Sequence, residues 1–484
     1  MSLAPGIPFG VLGDSCNDPQ PMAIKDLPGP PRLPFLGNAL QVKSHDLHLR
    51  LERWCGQYGP IFRVDLGPRP YAVIGDAELA GVILRNRPDG FRRVREIGAI
   101  IDELGGEGVF TAEGEDWRRQ RRLAVSALNA GHVQRYYDVI YRAAQRLHER
   151  LRLAASAGEP VDIGEIFGAY TVEVTSELAF GVELTATHAP LQEHVATVFA
   201  AAGRRFAAPA PYWRCVRLRN DRAADRSVTA IRNAVSEFIA AARSRMQEDP
   251  SLYESPTNFL EGMIAAQRNE DRYSEAEVVG NTITMLVAGE DTTSHTLAWT
   301  SWFLARQPDV QARLAREARE VLGSTTVPAD HVTASGCAYG EAVLRDSLWR
   351  MPVTALFGLE TLQETTVGEF TLPAGTRVIL LTRYASLVAA GIPAGPPWPM
   401  MLEPEAWLQQ EHESKDLLAF GAGPRFCPGR NLALLEAQTA LLVLAAGFEL
   451  SLDPESPAVQ ERASFTIIPH GLRVRVRERP VAAG

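Results

Sequence analysis

A glycine-rich cysteine segment, FGAGPRFCPG at residues 420–429, constrains the fold of this chain more than any other stretch. Its cysteine, Cys427, comes just before an apolar run at 431–446 whose three- and four-residue spacing predicts a helix. The partial positive charge and free N–H groups at a helix N-terminus favour a thiolate. Glycines such as Gly423 and Gly429 leave room for a flat macrocycle to approach the sulfur, so the segment predicts a thiolate that binds haem iron.

A glycine-rich turn around a buried structural cysteine is the ordinary alternative, and it would be the better interpretation of a lone cysteine. Here the pattern FxxGxRxCxG fixes five positions, and chance would produce it in roughly one of ten thousand such chains. Arg425 is placed to pair with a haem propionate. With these residues the segment resembles the haem-binding loop of the cytochromes P450, the haem-thiolate monooxygenases, and the resemblance extends from residue 27 to the C-terminus.

That resemblance implies a mainly α fold with a small β part, formed by a single large domain around a buried haem. The cofactor it implies is haem b, iron protoporphyrin IX, with Cys427 as the axial thiolate. Because this fold uses nearly all of the 484 residues, no reductase domain fits beside it, and electrons must come from a separate ferredoxin or flavodoxin-like donor with its NAD(P)H reductase. Further contacts with the cofactor are expected from Phe420, Gly423 and Gly429.

A second motif, AGEDTT at 288–293, lies within a stretch at 274–306 whose spacing predicts one long helix. Ser274 is its expected N-cap, with Glu277 completing a capping box. Glycine and β-branched residues are poor choices inside a helix, so we expect a strained or opened turn there. By resemblance, Asp291 and Thr292 are the acid–threonine pair that supplies protons for dioxygen activation. Alone, the AGEDTT motif indicates only a solvent-facing patch on a helix. Its position ahead of the cysteine segment supports the functional interpretation.

Trp117 and Arg121 are four residues apart and therefore share one face of a predicted helix. The resemblance assigns both to a haem propionate. Arg118, Arg119 and Arg122 extend this basic group, and we expect them to dock an acidic electron donor. A solvated helix face is the alternative interpretation.

The predicted substrate site lies on the face of the haem opposite Cys427. Its candidate lining is mostly apolar, which predicts a hydrophobic small molecule, although each residue could equally belong to the core. The stretch 99–111 is expected to form a mobile lid. The candidate lining residues are Met285, Ala288, Val353, Phe357, Phe465 and Ile467.

One region departs from the family pattern, which has a Glu-x-x-Arg motif and a later arginine in a buried salt-bridged network. Here Asp346 and Trp349 occupy the two motif positions and Ala406 the third. We therefore expect the network to be missing, with Trp349 filling its space apolarly, since a buried carboxylate without arginine partners is costly. The stretch 351–376 also contains no Lys, Arg or His that could hold a propionate. Both departures put haem retention and turnover in question.

Composition narrows the class of protein further. The net charge of −9 argues against nucleic acid as a partner. The five cysteines form no CxxC pair, which suits a reducing cytoplasm. The tail at 1–26 is expected to be extended, ahead of a domain at 27–484, and reads as neither a signal peptide nor a membrane anchor. Only three of the 49 basic residues are lysines, a bias that indicates a high-GC bacterium and motivates a role in secondary metabolism.

The remaining pattern predicts mostly helix, almost continuous over 116–243, with strands at 61–66, 71–74, 376–381 and 471–476. Two alternatives to a monooxygenase stay open. A peroxide-driven haem enzyme is disfavoured because Asp291 and Thr292 are present. A haem-binding or recruiting protein that has lost turnover is motivated by the departures at Asp346, Trp349 and Ala406.

Overall fold

The computed structural model describes residues 24–67, 69–183, 191–208, 210–270, 273–398, 400–412 and 417–480. Within these ranges the chain is mainly helical with a small β part, which confirms the predicted fold class. The helices are α1 (Leu47–Tyr58), α2 (Ala77–Arg85), α3 (Arg95–Glu103), α4 (Gly114–Ala127), α5 (Ala130–Arg135), α6 (Tyr137–Ala157), α7 (Ile163–Phe180), α8 (Leu191–Ala207), α9 (Arg219–Glu248), α10 (Phe259–Glu270), α11 (Glu275–Arg306), α12 (Pro308–Leu322), α13 (His331–Ala334), α14 (Ala338–Arg350), α15 (Thr382–Ala389), α16 (Pro404–Leu408) and α17 (Arg430–Gly447). The strands are β1 (Ile61–Leu66), β2 (Arg69–Ile74), β3 (Phe91–Arg93), β4 (Leu356–Thr361), β5 (Thr365–Val367), β6 (Phe370–Leu372), β7 (Arg377–Leu381), β8 (Phe448–Leu452), β9 (Gln460–Ala463), β10 (Ile467–His470) and β11 (Val474–Glu478).

The main sheet has the strand order β1-β2-β7-β4-β3. Only β2 and β7 pair in parallel; the other neighbours in this sheet are antiparallel. Three predicted strands are confirmed with small boundary changes. The prediction at 471–476 starts too early, because Gly471 adopts a φ of +83° in the turn and β11 begins only at Val474. Of the predicted tail, residues 1–23 lie outside the described residues, and Ile24–Asp26 forms a short 3-10 turn.

The long helix α11 runs through the core and is flanked by α7, α9, α14 and α17. It begins as predicted: the backbone N–H of Glu277 donates to Ser274 Oγ at 3.2 Å, and the Glu277 carboxylate accepts from Ser274 N at 2.8 Å. The expected opened turn at 288–293 is wrong, because the helix is continuous there. Gly289 instead lets α7 approach, since a Cβ at this position would lie 2.4 Å from Thr175 Oγ1.

The nearly continuous helix predicted over 116–243 is divided into six helices, α4 to α9. Left-handed glycines end two of them: Gly158 has a φ of 72° and Gly181 a φ of 64°. Asp162 then begins α7, because its carboxylate accepts from Gly164 N at 2.9 Å. Apolar spacing alone continues through such stops, so it overestimated the helix length. None of the described helices has the length and hydropathy needed to cross a membrane.

A buried ion network joins α1, the start of α15 and β9. Arg383 donates to both carboxylate oxygens of Glu52, at 2.8 and 2.7 Å, and to Glu461 at 2.5 Å. Trp398 Nε1 also donates to Glu52, at 2.9 Å, and His48 contacts Glu461 at 2.7 Å. Burial alone would raise the pKa of Glu461, but Arg383 and His48 lower it to about 2. The network therefore joins α1, near the N-terminus, and β9, near the C-terminus, to the start of α15.

Candidate active site

The cysteine segment is held between α2 and the start of α17. Cys427 N donates to the carbonyl of Phe420 at 2.9 Å, which closes the loop. Gly423 has a φ of +70°, and a Cβ on it would lie 2.6 Å from both the Leu84 carbonyl oxygen and the Arg85 Cα. Gly423 is thus required by packing against α2, a different reason from the approach of a macrocycle expected from sequence.

The surroundings of Cys427 suit a thiolate ligand. Burial raises the pKa of its thiol, while the backbone N–H groups of Gly429 and Arg430 and the charge of Arg121 oppose that rise. Gly429 is the N-cap of α17, so these N–H groups are the free donors of a helix N-terminus. By contrast, burial raises the pKa of both Cys55 and Cys337 to about 12. Among the described cysteines, Cys427 therefore has the setting a metal needs.

The predicted propionate residues lie together beside this loop. Arg121 Nη2 donates to the carbonyl of Phe426 at 2.5 Å. Arg425 donates to the carbonyl of Ala112 at 2.7 Å and also forms an ion pair with Glu113. Its guanidinium lies 4.6 Å from the ring centre of Trp117. The contacts connect α4 to the cysteine segment, and propionate binding by these residues stays a prediction.

Two further arginines, the buried Arg87 and the half-buried Arg93, join this group and were missed in the sequence. The pKa of Arg87 is lowered to about 10 and that of Arg93 to about 9; burial is the main cause of both shifts, with Arg87 adding to that of Arg93 and Arg425 to both. Glu113 opposes these shifts. Neither residue belongs to a recognisable motif: Arg87 lies in the turn after α2, and Arg93 ends β3. They are candidates for the propionate-binding cations that the stretch 351–376 lacks.

This arginine cluster (Arg87, Arg93, Arg121 and Arg425) carries more positive charge than Glu113 can balance. Nε and Nη2 of Arg87 and Nε of Arg425 are buried without a hydrogen-bond partner among the described residues. Uncompensated buried cations are costly, so the cluster fits a ligand with two negative charges. The two propionates of haem b have that charge, and a bidentate guanidinium suits a carboxylate. The residues present therefore fit a haem held by Cys427.

Replacing Arg87 tests this fit. We expect Arg87→Met to speed loss of haem to a haem-scavenging globin by about tenfold, as for a lost charged hydrogen bond worth roughly 1.5 kcal/mol. The haem-free protein should become more stable towards urea, because an unpaired buried cation is removed. Arg85→Met is the matched control, since Arg85 is exposed two residues away. Equal haem loss from both variants would exclude Arg87 as a propionate ligand.

On α11, Ala288 is exposed although Met285, Leu286, Glu290 and Asp291 around it are buried. An exposed residue in the middle of a largely buried helix shows that no described neighbouring element covers α11 at that point. Ala288, predicted to line the substrate site, lies at this uncovered place, and Met285, predicted with it, is buried three residues earlier.

The hydroxyl of Thr292 donates to the carbonyl of Ala288 at 2.9 Å. The Asp291 carboxylate instead accepts from Thr466 and contacts His295 at 3.3 Å. The structure therefore places Thr292 next to the exposed residue of α11 and directs Asp291 towards the segment before β10. That geometry leaves the predicted proton roles of both residues untested.

Phe465, a predicted substrate residue, lies at the centre of an aromatic cluster. Its ring centre is 4.8 Å from Phe199, 6.0 Å from Phe110 and 6.2 Å from Phe206. Phe110 belongs to the predicted lid at 99–111, whose first residues are the end of α3. Phe199 and Phe206 lie on α8. No local pattern predicts that these rings meet, because they lie far apart along the chain.

The other candidate lining residues differ in exposure. Phe357 is half-buried on β4 and lies 3.7 Å from where a Cβ of Gly421 would be. Val353 and Ile467 are buried and joined by a backbone hydrogen bond of 2.8 Å. Ile467 also accepts from Trp299 Nε1 at 2.9 Å. These contacts give Val353 and Ile467 a core role, and their contact with substrate stays a prediction.

The expectation that the region of Asp346 holds no buried ion pair is wrong. Asp346 is buried and accepts from Arg350 Nε at 3.1 Å, from Glu403 N at 2.6 Å and from Trp407 Nε1 at 3.2 Å. Trp349 packs against Trp407, as expected for an apolar filler. The spacing of four between Asp346 and Arg350 is one residue longer than the motif, and a helix brings residues at either spacing together.

Two of the three arginines expected to dock a donor are already engaged. Arg119 forms ion pairs with Asp116 at 2.9 Å and with Glu277 at 2.6 Å, which ties α4 to α11. Arg118 pairs with Asp89 at 2.6 Å. Arg122 is exposed and has no ion pair within the described ranges. The predicted docking group is therefore reduced mainly to Arg122.

A buried carboxyl group lies where α17 passes α11. Glu436 is almost fully buried, its Oε2 has no described partner, and Thr293 donates a hydrogen bond to it. Burial raises the pKa of Glu436 to about 8. Since the folded-state pKa exceeds the unfolded one, this group's contribution to stability is fully present below about pH 4.5 and is lost as pH rises to 8.

We expect Glu436→Gln to remove that loss, because the amide keeps the shape without a charge to bury. At pH 8 the variant should exceed the parent in free energy of unfolding by about 4 kcal/mol, and by less than about 1 kcal/mol at pH 5. Urea unfolding at both pH values measures this. Glu159→Gln, at an exposed site, is the control. A variant with the same pH dependence as the parent would contradict the raised pKa.

The fold and this site together define a haem-thiolate protein. The sequence matches the cytochrome P450 family over residues 27–476, and the chain belongs to that family. Its members are monooxygenases that hold haem through a cysteine thiolate and use dioxygen with redox partners.

Relatives of this chain come from plants, animals and bacteria. It is 25% identical to Protein LUTEIN DEFICIENT 5, chloroplastic, of Arabidopsis thaliana over 93% of this chain and 77% of that protein. It is 25% identical to Cytochrome P450 3A6 of Oryctolagus cuniculus, over 89% and 87%. It is 27% identical to Cyclooctatin synthase of Streptomyces melanosporofaciens, over 87% and 89%.

Proposed function

We propose that the protein uses dioxygen to hydroxylate or epoxidise a hydrophobic small molecule. The observation that carries this proposal is the arginine cluster beside the Cys427 loop, which fits the dianion of haem b. When bound, haem b with a thiolate ligand supplies the chemistry of dioxygen reduction and oxygen insertion. The chain's own residues bind and orient that group, exclude water and move protons.

Each role in this proposal falls to a residue described above. Cys427 would be the thiolate ligand, and the arginine cluster with Trp117 would bind the propionates. Asp291 would hold and pass on a proton, and Thr292 would orient it at its hydroxyl. The substrate would lie between α11 and the aromatic cluster around Phe465, with Met285, Ala288, Val353, Phe357 and Ile467 as further contacts.

The electron donor would be a separate ferredoxin or flavodoxin-like protein with its reductase. Arg122 supports a docking position beside the cysteine segment, because it follows Arg121, whose guanidinium lies 4.8 Å from the ring centre of Phe426. Phe426 is 42% exposed. An exposed ring and an unpaired cation suit an acidic partner.

A cytoplasmic location and a role in bacterial secondary metabolism complete the proposal. The described cysteines Cys55, Cys215, Cys337 and Cys427 are free thiols, as in a reducing compartment. The bias towards arginine over lysine and the likeness to a Streptomyces enzyme named Cyclooctatin synthase support a bacterial, specialised role.

One second candidate is a peroxide-driven enzyme, favoured because the Asp291 carboxylate is engaged with Thr466 and His295 while Thr292 bonds to the Ala288 carbonyl. The alternative of a haem-binding or recruiting protein without turnover is no longer favoured, because Asp346 and Arg350 form a buried ion pair. The test is a carbon monoxide difference spectrum of the reduced protein, followed by turnover of a ligand that shifts the haem spectrum in a screen. Product with dioxygen and a ferredoxin system supports the proposal; product with hydrogen peroxide alone, or no thiolate-type band, overturns it.

A further inference from the structure

The carboxylate of Asp291 is held by two side chains outside the family motif, His295 and Thr466. Thr466 Oγ1 donates to Asp291 Oδ2 at 2.5 Å. His295 Nδ1 lies 3.3 Å from Asp291 Oδ1 and 3.2 Å from Thr466 Oγ1. His295 follows Asp291 by four residues on α11, and Thr466 lies just before β10. The three polar groups form a closed triangle.

The triangle fixes which nitrogen of His295 carries a proton. The only hydroxyl proton of Thr466 is donated to Asp291, so the Thr466 oxygen must accept from His295. Nδ1 of His295 is therefore a donor, and it also faces the carboxylate. Burial alone would lower the pKa of His295, but the charge and hydrogen bond of Asp291 raise it overall, with a contribution from Asp162 at the start of α7. These features favour the doubly protonated ring.

Among the described groups around Asp291, His295 is the titratable one that reaches solvent. Asp291 is 7% exposed, Thr466 is buried, and the side chain of His295 is 23% exposed. Glu290 is buried beside Asp291, and burial together with the Asp291 charge raises its pKa well above its ordinary value. That shift disfavours loss of the Glu290 proton, while an acid that works in every turnover needs a partner that can take up a proton from water.

We propose that His295 is a positioning residue that orients Asp291 and returns a proton to it after each turnover. In that transfer the Nδ1–H bond of the imidazolium breaks and an O–H bond forms on Asp291. The ring becomes neutral with its remaining proton on Nε2, so it rotates about the Cβ–Cγ bond to present Nδ1 to water, takes a proton there and rotates back as the imidazolium. Thr466 keeps the carboxylate against His295 throughout. The inference rests on the proton role proposed for Asp291.

The pH dependence has a definite sign. The relay works only while His295 is protonated, so turnover falls as pH rises through the pKa of His295. His295→Asn keeps a donor at the position of Nδ1 but cannot titrate. We therefore expect about tenfold slower turnover in this variant, with the pH dependence lost and a larger solvent isotope effect. His148→Asn, on α6, is the control for removing a half-buried histidine.

A measurement that needs no turnover accompanies these rates. In the reduced carbon monoxide form, NMR of selectively labelled histidine gives the pKa of His295, assigned by its loss in His295→Asn. We expect a pKa above the ordinary value that falls by about one unit in Asp291→Asn, as a lost ion pair requires. An unchanged pKa in Asp291→Asn overturns the proposal.

The rates separate this proposal from the function it rests on. If Asp291→Asn slows turnover but His295→Asn matches the parent at every pH, only the role of His295 is overturned. If the Asp291→Asn variant itself turns over substrate like the parent, the proton role of Asp291 and the relay through His295 are both overturned, whatever the histidine NMR spectrum shows.

Discussion

Arg383→Leu is expected to lower the free energy of unfolding at 25 °C by about 3–5 kcal/mol. Arg383 and Glu52 have fully buried side chains, and the arginine also binds Glu461, so the substitution leaves two carboxylates without their cation. Breaking a buried ion pair from one side costs about 3–5 kcal/mol, a large part of the ~5–15 kcal/mol by which domains are stable. Urea unfolding followed by circular dichroism measures the loss.

Two variants show whether the buried charge is responsible. Arg152→Leu removes an exposed arginine that pairs with Glu149 on the same helix, and it should change stability little. The double variant Arg383→Leu with Glu52→Leu should recover part of the loss, because the stranded carboxylate is also removed. A single variant as stable as the parent would show that Arg383 is not paired as described.

The sequence predicted the parts of this molecule that depend on neighbouring residues. The capping box at Ser274 and Glu277 fixed the start of α11, since both residues lie within one turn. The cysteine segment and the pair Trp117 and Arg121 were recognisable for the same reason. Local spacing also led to an error. It predicted helix through Gly158 and Gly181, where a glycine in the left-handed conformation ends the helix.

The parts it missed depend on residues that meet only in the folded chain. Arg383 lies 331 positions from Glu52. Arg87 and Arg93 belong to no motif, and only burial beside Arg425 gives them a role. At Asp346 the motif was read too strictly, because a helix brings an acid and an arginine together at a spacing of four as well as three. The family motif specifies particular positions, whereas stability requires only that a buried charge has a partner of opposite charge.

Cys427→Ala is expected to abolish the thiolate-type band in the carbon monoxide difference spectrum. The variant removes the one described sulfur that lies at a helix N-terminus beside the arginine cluster, so no other thiol can replace it at that place. Cys55 and Cys337 are buried, and burial raises the pKa of both to about 12, which keeps them protonated. Haem content after purification should also fall, because only the propionate contacts would hold the haem once the iron ligand is lost.

Controls distinguish loss of the ligand from loss of the fold. Cys427 is only half-buried, so the haem-free variant should unfold in urea within about 1 kcal/mol of the haem-free parent. Cys215→Ala removes an exposed thiol and should keep the full band. A thiolate-type band that persists in folded Cys427→Ala would place the iron elsewhere and overturn the assignment of the cysteine segment. A parent band typical of a neutral thiol would keep Cys427 as ligand but contradict the monooxygenase proposal, since thiolate donation is what drives dioxygen cleavage.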